Sequence, residues 1–241
     1  MRYGLFSDVH GNFPALESVI HAFQNENIDQ YFCAGDVVGY GADPVRCIDR
    51  VKNLPSVCVA GNHDWAVLGK VDTSDFNPAA KAAIVWTKKN ISSEDSNFLK
   101  GLTLIHKNAD FILVHGSLQE PERFHYLFDR EETRGTFDLM DRAVCFVGHT
   151  HVAGVFVEEN HRVSDFSFSN LKVEKNRRYI VNLGSVGQPR DGDSRAYYCI
   201  FDTKTKMISI KRVDYDVTET QRRILNAGLP EFLASRLILG Q

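Results

Sequence analysis

The chain predicts an α/β fold, and three observations carry that reading. Short apolar runs alternate with amphipathic helical stretches between residues 2 and 60. Closely spaced strand-like runs joined by short turns follow residue 152. Polar clusters rich in Asp, Asn and His recur at the ends of the apolar runs, the place where ligand sites collect in an open α/β sheet.

Residues 2–7 predict a short strand. After the Gly11-Asn12 turn, apolar Phe13, Leu16, Val19, Ile20 and Phe23 recur at spacings of three and four, the period of a helix with one buried face. Residues 31–34 predict the next strand, and Asp43 with Pro44 forms an N-cap and first-turn pair for a helix through Cys47, Ile48 and Val51. A third strand follows at 57–60. This β-α-β-α-β order predicts a sheet that begins parallel and right-handed. Residues 111–114 and 144–147 are two more short, continuous apolar runs, the pattern of strands covered on both faces.

Two insertions are expected, at about 65–105 and 118–142. The first should contain helices after Asn77-Pro78 and after Ser92-Ser93; the second reads as loop and helix, rich in acidic and aromatic residues. Residues 152–157, 162–168, 179–182, 196–201 and 207–213 predict an antiparallel second sheet. Asp216 and Glu219 have the spacing of a capping box, and Gly228 with Pro230 divides the C-terminal helical stretch, about 217–239, into two. With no repeat, low-complexity tract or linker-like shift, a single domain over 1–241 is expected.

A composition of 43% hydrophobic and 24% charged residues is that of a globular protein able to bury a full core. The net charge of -3 leaves no basic footprint for an extended nucleic-acid surface and no polybasic membrane patch. Asp8 follows the initial apolar run too closely for a signal peptide, and no apolar stretch approaches the roughly 20 residues of a membrane-spanning helix. The five cysteines, Cys33, Cys47, Cys58, Cys145 and Cys199, are odd in number and lack C-x-x-C spacing, so they read as buried reduced thiols. A cytoplasmic protein with no membrane partner is expected; its oligomeric state is left open.

Five clusters bear the chemistry: Asp8-Val9-His10, Gly35-Asp36, Gly61-Asn62-His63-Asp64, His115-Gly116 and Gly148-His149-Thr150-His151. Together they supply seven oxygen or imidazole donors, Asp8, His10, Asp36, Asn62, His115, His149 and His151, plus His63. That donor set suits a two-metal hydrolytic centre. Because strand side chains alternate, Asp8 and His10 can aim at one spot from the end of a strand, and His149 with His151 repeats the spacing. Cysteine is absent from every cluster, which favours harder ions such as Mn²⁺, Fe or Zn²⁺ over a structural zinc site.

The order D-x-H, G-D, G-N-H-D, H-G, G-H-T-H resembles that of the calcineurin-like metallophosphoesterase superfamily over residues 1 to about 202. The stretches Gly35-Asp36-Val37-Val38-Gly39-Tyr40-Gly41 and Asn182-Leu183-Gly184-Ser185-Val186-Gly187-Gln188-Pro189-Arg190 look most like those of its small bacterial and archaeal phosphodiesterase-like members. The resemblance implies a four-layer αββα sandwich with two mixed β-sheets. It implies two divalent ions (Mn, Fe, Zn or Ni), with Asp8, His10 and His151 on one, Asn62, His115 and His149 on the other, and Asp36 bridging. It further implies in-line attack by a metal-bridging hydroxide on a phosphodiester or phosphomonoester of a small substrate, nucleotides included. His63 would then serve catalysis without holding metal, protonating the leaving oxygen or stabilising the transition state.

Gly39 and Tyr40 stand where the phosphoprotein phosphatases of this superfamily carry Asp and Arg, which disfavours a phosphoprotein substrate. Leu183 stands where many relatives have proline. A general phosphatase or a dinucleoside polyphosphate hydrolase is the alternative enzyme, and a catalytically silent scaffold the alternative outside catalysis. Arg190 has two readings, a substrate phosphate or base contact and an ion pair with Asp191 or Asp193. Asp64 either orients His63 or caps the helix that follows. Phe124, Tyr126 and Phe128 either wall a cleft or, the favoured reading, pack a cap helix. His21, His106, His125 and His161 belong to no motif. Phe232, Leu233, Leu237, Ile238 and Leu239 either cover the core or meet a partner.

Overall fold

The computed structural model covers residues 1–241. The chain opens with β1 (Arg2–Phe6), α1 (Phe13–Gln24), β2 (Gln30–Cys33), α2 (Pro44–Lys52) and β3 (Ser56–Cys58). Three helices follow, α3 (Asn62–Val67), α4 (Pro78–Asn90) and α5 (Ser93–Gly101), before β4 (Ile105–Lys107) and β5 (Ile112–Val114). After α6 (Arg134–Leu139) come β6 (Val144–Val147), β7 (Gly154–Glu159), β8 (Arg162–Phe166), β9 (Asn170–Lys172) and β10 (Arg178–Asn182). The chain continues through β11 (Ala196–Asp202), β12 (Met207–Val213), α7 (Val217–Asn226) and α8 (Glu231–Leu239).

Helix starts follow the expected chemistry at most positions. Asn12 Oδ1 accepts from the Ala15 N–H at 3.2 Å, Asn77 Oδ1 from Ala80 at 2.9 Å, and Asp216 Oδ1 from Glu219 at 2.8 Å. Asp43 departs from this pattern: its side chain makes no capping bond and instead accepts from Arg223 of α7 at 2.9 Å.

The strands form two six-stranded sheets, ordered β3-β2-β1-β11-β12-β9 and β4-β5-β6-β10-β7-β8. β1, β2 and β3 are parallel, as expected. The second sheet is not the antiparallel C-terminal unit that local spacing predicts. It is mixed, with β5, β6 and β10 parallel and β7 and β8 antiparallel, while β11, β12 and β9 cross to the first sheet. β11 makes the difference: it is buried on both faces and pairs antiparallel with β1, a central position that local periodicity does not specify.

Alternation along the strands builds the layers. Tyr3 and Leu5 of β1, Tyr179 and Val181 of β10, and Cys199 and Phe201 of β11 meet in the core between the sheets, with Phe111 and Phe146. On the far side of the first sheet, Phe6 and Ile200 pack with Leu16, Val19 and Phe23 of α1 and Ile48 of α2. Beyond the second sheet, Ile180 and Cys145 pack with Phe137 of α6. The result is the αββα sandwich. A separate cluster joins Ala80 and Ala83 of α4 to Leu233 and Leu237 of α8, leaving Phe232, Ile238 and Leu239 exposed. All five cysteines are free, four of them buried. No helix is long and apolar enough to cross a membrane.

Candidate metal centre

The loops after β1, β2, β5 and β6 and the first turn of α3 converge on one rim shared by the sheets. Strand alternation is not what aims the donors, because β1 ends at Phe6, before Asp8. Asp8, His10, Asp36, His149 and His151 instead adopt left-handed backbone, with φ of 55°, 50°, 54°, 70° and 62°. Each such non-glycine residue costs roughly 1–3 kcal/mol unless its surroundings dictate it. Main-chain hydrogen bonds supply that constraint: Asp8 N–H to Gly35 O at 3.0 Å, His10 N–H to Asp36 O at 2.9 Å, Gly187 N–H to Asp8 O at 2.9 Å and Arg190 N–H to His151 O at 3.2 Å.

The seven expected donors are brought together and all are buried. Three rings are fixed from behind: His10 Nδ1 lies 3.1 Å from Val38 O, His115 Nδ1 2.7 Å from Ala34 O, and His151 Nδ1 2.6 Å from Gln188 O. A carbonyl can only accept, so each Nδ1 carries the proton, and in the neutral ring each Nε2 presents a lone pair inward. Those lone pairs crowd one another, with His10 Nε2 3.0 Å from His151 Nε2, and His115 Nε2 3.2 Å from His149 Nδ1 and 3.1 Å from Asn62 Oδ1.

Each carboxylate divides its oxygens. Asp8 Oδ2 accepts from the His149 N–H at 3.0 Å and Asp36 Oδ1 from the His63 N–H at 2.8 Å. The other oxygens face the rings: Asp8 Oδ1 lies 3.3 Å from His151 Nε2 and 3.7 Å from His10 Nε2, while Asp36 Oδ2 lies 3.6 Å from His10 and 3.3 Å from His115. Asp36 therefore stands between two groups of donors, Asp8–His10–His151 and His115–His149. Asp8 Oδ1 is buried with no hydrogen-bond partner. An orphaned carboxylate oxygen facing inward lone pairs is a donor set without a donor hydrogen, and it fits divalent cations.

The electrostatics agree. Burial alone would raise the Asp8 and Asp36 carboxyls, yet the surrounding imidazoles hold both well below the usual range. Burial opposes charge on His115, but Asp36 and Asp8 outweigh it and push that ring up to about 10, so a proton competes with a cation for its Nε2. Burial, with nearby cations, lowers His151 to about 4 and His149 well below its ordinary value.

Asp64 is a structural residue. Its two oxygens accept from the N–H groups of Asp36, Val37, Val38 and Gly61 at 2.9–3.2 Å, pinning the Asp36 loop to the start of α3. Burial and the Asp36 charge push its carboxyl up to about 7, against those N–H donors. Gly61 is needed for closeness: a β-carbon there would overlap the Asp36 carboxylate. Leu183 donates its N–H to Val147 O at 2.9 Å, a bond proline could not make.

His63 sits beside the donors, its ring 4.8 Å from that of His10 and 4.5 Å from that of Tyr40, with Nδ1 buried and unpartnered. Burial pushes it down to about 3, so the ring is neutral at pH 7. Its ring also falls within reach of His10 and Asp36. Arg190 is not an ion-pair residue, because Asp191 is taken by Arg212 and Tyr197 at 2.5 Å and Asp193 by Arg195 at 2.7 Å. Its Nη2 donates to Gln188 Oε1 at 2.9 Å and Tyr40 OH at 3.3 Å.

A cleft of about 770 Å³ opens from Asn62 and His149. Phe124, Tyr126 and Phe128 wall it, against the expectation that they pack a cap helix; residues 124–128 are loop, lying between a short 3-10 turn at Pro121–Arg123 and α6. Tyr126 stacks on His149 with centroids 3.7 Å apart, and Phe128 stacks on Tyr126 at 4.9 Å. His125 also lines the cleft, 3.4 Å from Glu120, whereas His21, His106 and His161 join none of the donor groups. Sequence reading passed over two residues here. Asn182 donates to Gly148 O at 2.7 Å and Thr150 Oγ1 at 2.9 Å, steadying the His149 loop, and its place at a strand end is the signal that could have found it. Arg236 reaches the rim from α8, and nothing in its neighbours marks it.

Comparison with known proteins bears on this geometry. Residues 1–206 match the calcineurin-like phosphoesterase superfamily domain. The chain is 40% identical over 241 residues to an uncharacterized protein of Methanocaldococcus jannaschii, covering 98% of this chain and 97% of that one. A crystal structure of a metallophosphoesterase from Sphaerobacter thermophilus superposes with a TM-score of 0.89 at 38% identity, covering 100% and 99% of the two chains. A hypothetical protein from Pyrococcus horikoshii shares the fold at 20% identity, with a TM-score of 0.79 and coverage of 100% and 98%.

Proposed function

This chain belongs to the calcineurin-like phosphoesterase superfamily and is a phosphoester hydrolase, and from that premise we propose that it works with two divalent ions on small phosphodiesters and phosphomonoesters. The observation that carries the two-ion reading is the set of three rings whose outer nitrogens are committed to carbonyls, facing an unpartnered Asp8 Oδ1. Asp8, His10 and His151 would hold one ion, Asn62, His115 and His149 the other, and Asp36 both. When bound, such a pair supplies a nucleophile at neutral pH and neutralises charge on the phosphoryl oxygens. The protein's part is rigidity: left-handed backbone fixes the donors and buried carbonyls fix the ring tautomers, so little reorganisation accompanies the reaction.

His63 is assigned to the leaving-group side. A neutral buried imidazole donates a hydrogen bond to an oxygen that gains charge as the bond to phosphorus breaks. Tyr126 and Phe128 offer flat apolar surface to an ester arm, and Arg190 offers a guanidinium to an anion. A silent scaffold would not need a complete donor set. Glycine and tyrosine at 39 and 40, in place of the Asp and Arg of phosphoprotein phosphatases, support small substrates; a β-carbon at 39 would overlap His63 here.

Metal analysis with turnover measurement tests the reading. The protein is expected to bind two ions per chain and, with Mn²⁺, to cleave bis(p-nitrophenyl) phosphate at a rate comparable to or above that of p-nitrophenyl phosphate. Efficient monoester cleavage with no diester turnover across several metals would replace the diesterase reading with a phosphatase; fewer than two ions at full activity would remove the dinuclear one.

A further inference from the structure

A second lobe of about 200 Å³ adjoins the cleft, and His63, Asn62 and Tyr126 are common to its lining and the centre's surroundings. Its character differs from that of the larger cleft. The larger cleft carries Asp72, Asp75, Glu120 and Glu132 against Arg123, whereas the small lobe brings Arg190 and Arg236 together with Asp75 as its one acid. Most arginines of the chain pair with a carboxylate, as Arg195 does with Asp193 and Arg223 with Asp43. No side-chain carboxylate pairs with Arg190 or Arg236: Arg190 bonds neutral Gln188 and Tyr40, and Arg236 Nε alone is taken, by the terminal oxygen of Gln241 at 2.5 Å. Arg190 Nε is buried and unpartnered. The amino end of α4, with Asn77 and Ala80 at the lobe, adds the positive end of a 13-residue helix.

We propose that this lobe is a subsite for a second phosphate group, carried on the substrate's leaving group and held between Arg190 and Arg236. The inference rests on the phosphoester hydrolase reading and names its substrate class: a phosphate ester or anhydride whose departing half is itself phosphorylated. Placement on the leaving group follows from His63, which lines the lobe. Burial and then the Arg190 charge lower the Arg236 pKa, and two half-buried guanidiniums that no Asp or Glu side chain bonds repel each other. A dianion between them removes that repulsion, and guanidinium forks match its oxygens. Arg236 comes from α8, outside the 1–206 segment that matches the family, while Arg190 lies inside it, so the subsite joins the matched segment to the C-terminal helices. In the reaction, water adds to phosphorus, the bond to the bridging oxygen breaks, and that oxygen leaves with its electron pair and takes a proton when its own basicity requires one.

Phosphate release from AMP, ADP and adenosine 3′,5′-bisphosphate by the metal-loaded protein tests this, with bis(p-nitrophenyl) phosphate as a diester lacking a second anion. ADP reports a second phosphate joined through an anhydride; the bisphosphate reports one on the leaving alcohol. At least one of them should exceed AMP in kcat/KM by tenfold or more. Arg236→Gln and Arg190→Gln should each lower that preference about tenfold, mainly through KM, and Arg236→Lys should restore part of it. A structural role for Arg236 in holding α8 would instead lower turnover of all four compounds in proportion. That result, or a preference near one while the diester is still cleaved, would overturn the subsite. Failure to cleave any of the four compounds with any metal would overturn the hydrolase reading and the subsite with it.

Discussion

The metal cradle and the cleft around it are built by opposite means. In the cradle every donor is buried, and main-chain bonds to a neighbouring loop or strand set Asp8, His10, Asp36, His115 and His151. In the cleft, Tyr126 and Phe128 are 42% and 63% exposed and hang from a loop between β5 and α6, held mainly by stacking on one another and on His149. The difference teaches where each property of the enzyme resides. Reaction type is fixed by geometry that leaves no freedom, while substrate choice is left to side chains that can change without disturbing the sandwich.

The largest effect should come from the point shared by both donor groups. Asp36→Ala should leave at most one bound ion per chain and lower kcat/KM by about 10³ or more, because both the nucleophile and the charge stabilisation depend on it. Asp36→Asn, which keeps the volume, separates loss of charge from loss of packing. Two ions per chain by elemental analysis, with activity kept, would take Asp36 out of the cradle.

His63 lies on the boundary between the regions. His63→Ala should keep both ions and lower kcat by about 10² to 10⁴, with a smaller loss for substrates whose leaving groups need no proton. Gly39→Ala offers an independent route to the same place: φ is 94° and the added carbon would overlap the His63 ring. It should cost more than about 1 kcal/mol of stability and reproduce the kcat loss in kind. If His63→Ala loses metal instead, the ring is a ligand, as its distance from His10 and Asp36 allows.

This contrast also explains what was legible in the sequence. The helices α1, α2, α4 and α5 and the strands of the first β-α-β-α-β run are local, and spacing, Pro and cap residues disclose them. The seven donors were visible because Asp, Asn and His at the ends of apolar runs are conspicuous. Two things were hidden. The exchange of strands between sheets depends on β11 pairing with β1, nearly two hundred positions away in the chain, and no local period encodes such a partner. Left-handed backbone at Asp8, His10, Asp36, His149 and His151 contradicts intrinsic preference, so only the folded surroundings reveal it. Arg236 was hidden as well, an ordinary helix residue until the fold brings α8 to the rim.

The smallest effect tests the cleft side alone. Phe128 lines the cleft, and the one aromatic ring it stacks on is that of Tyr126. Aromatic stacking contributes about 0.5–1.5 kcal/mol beyond area burial. Phe128→Ala should therefore raise KM for a nucleotide or nitrophenyl ester by about three- to tenfold while leaving kcat within about twofold, because uniform binding is lost and no transition-state contact is. Metal content should not change. Tyr126→Ala is the sharper companion, since it also uncovers His149 and should add a loss of metal affinity to the rise in KM. A fall in kcat for Phe128→Ala at unchanged KM would show that the loop reaches the reacting atoms, and the division between a fixed cradle and an adjustable cleft would fail at this residue.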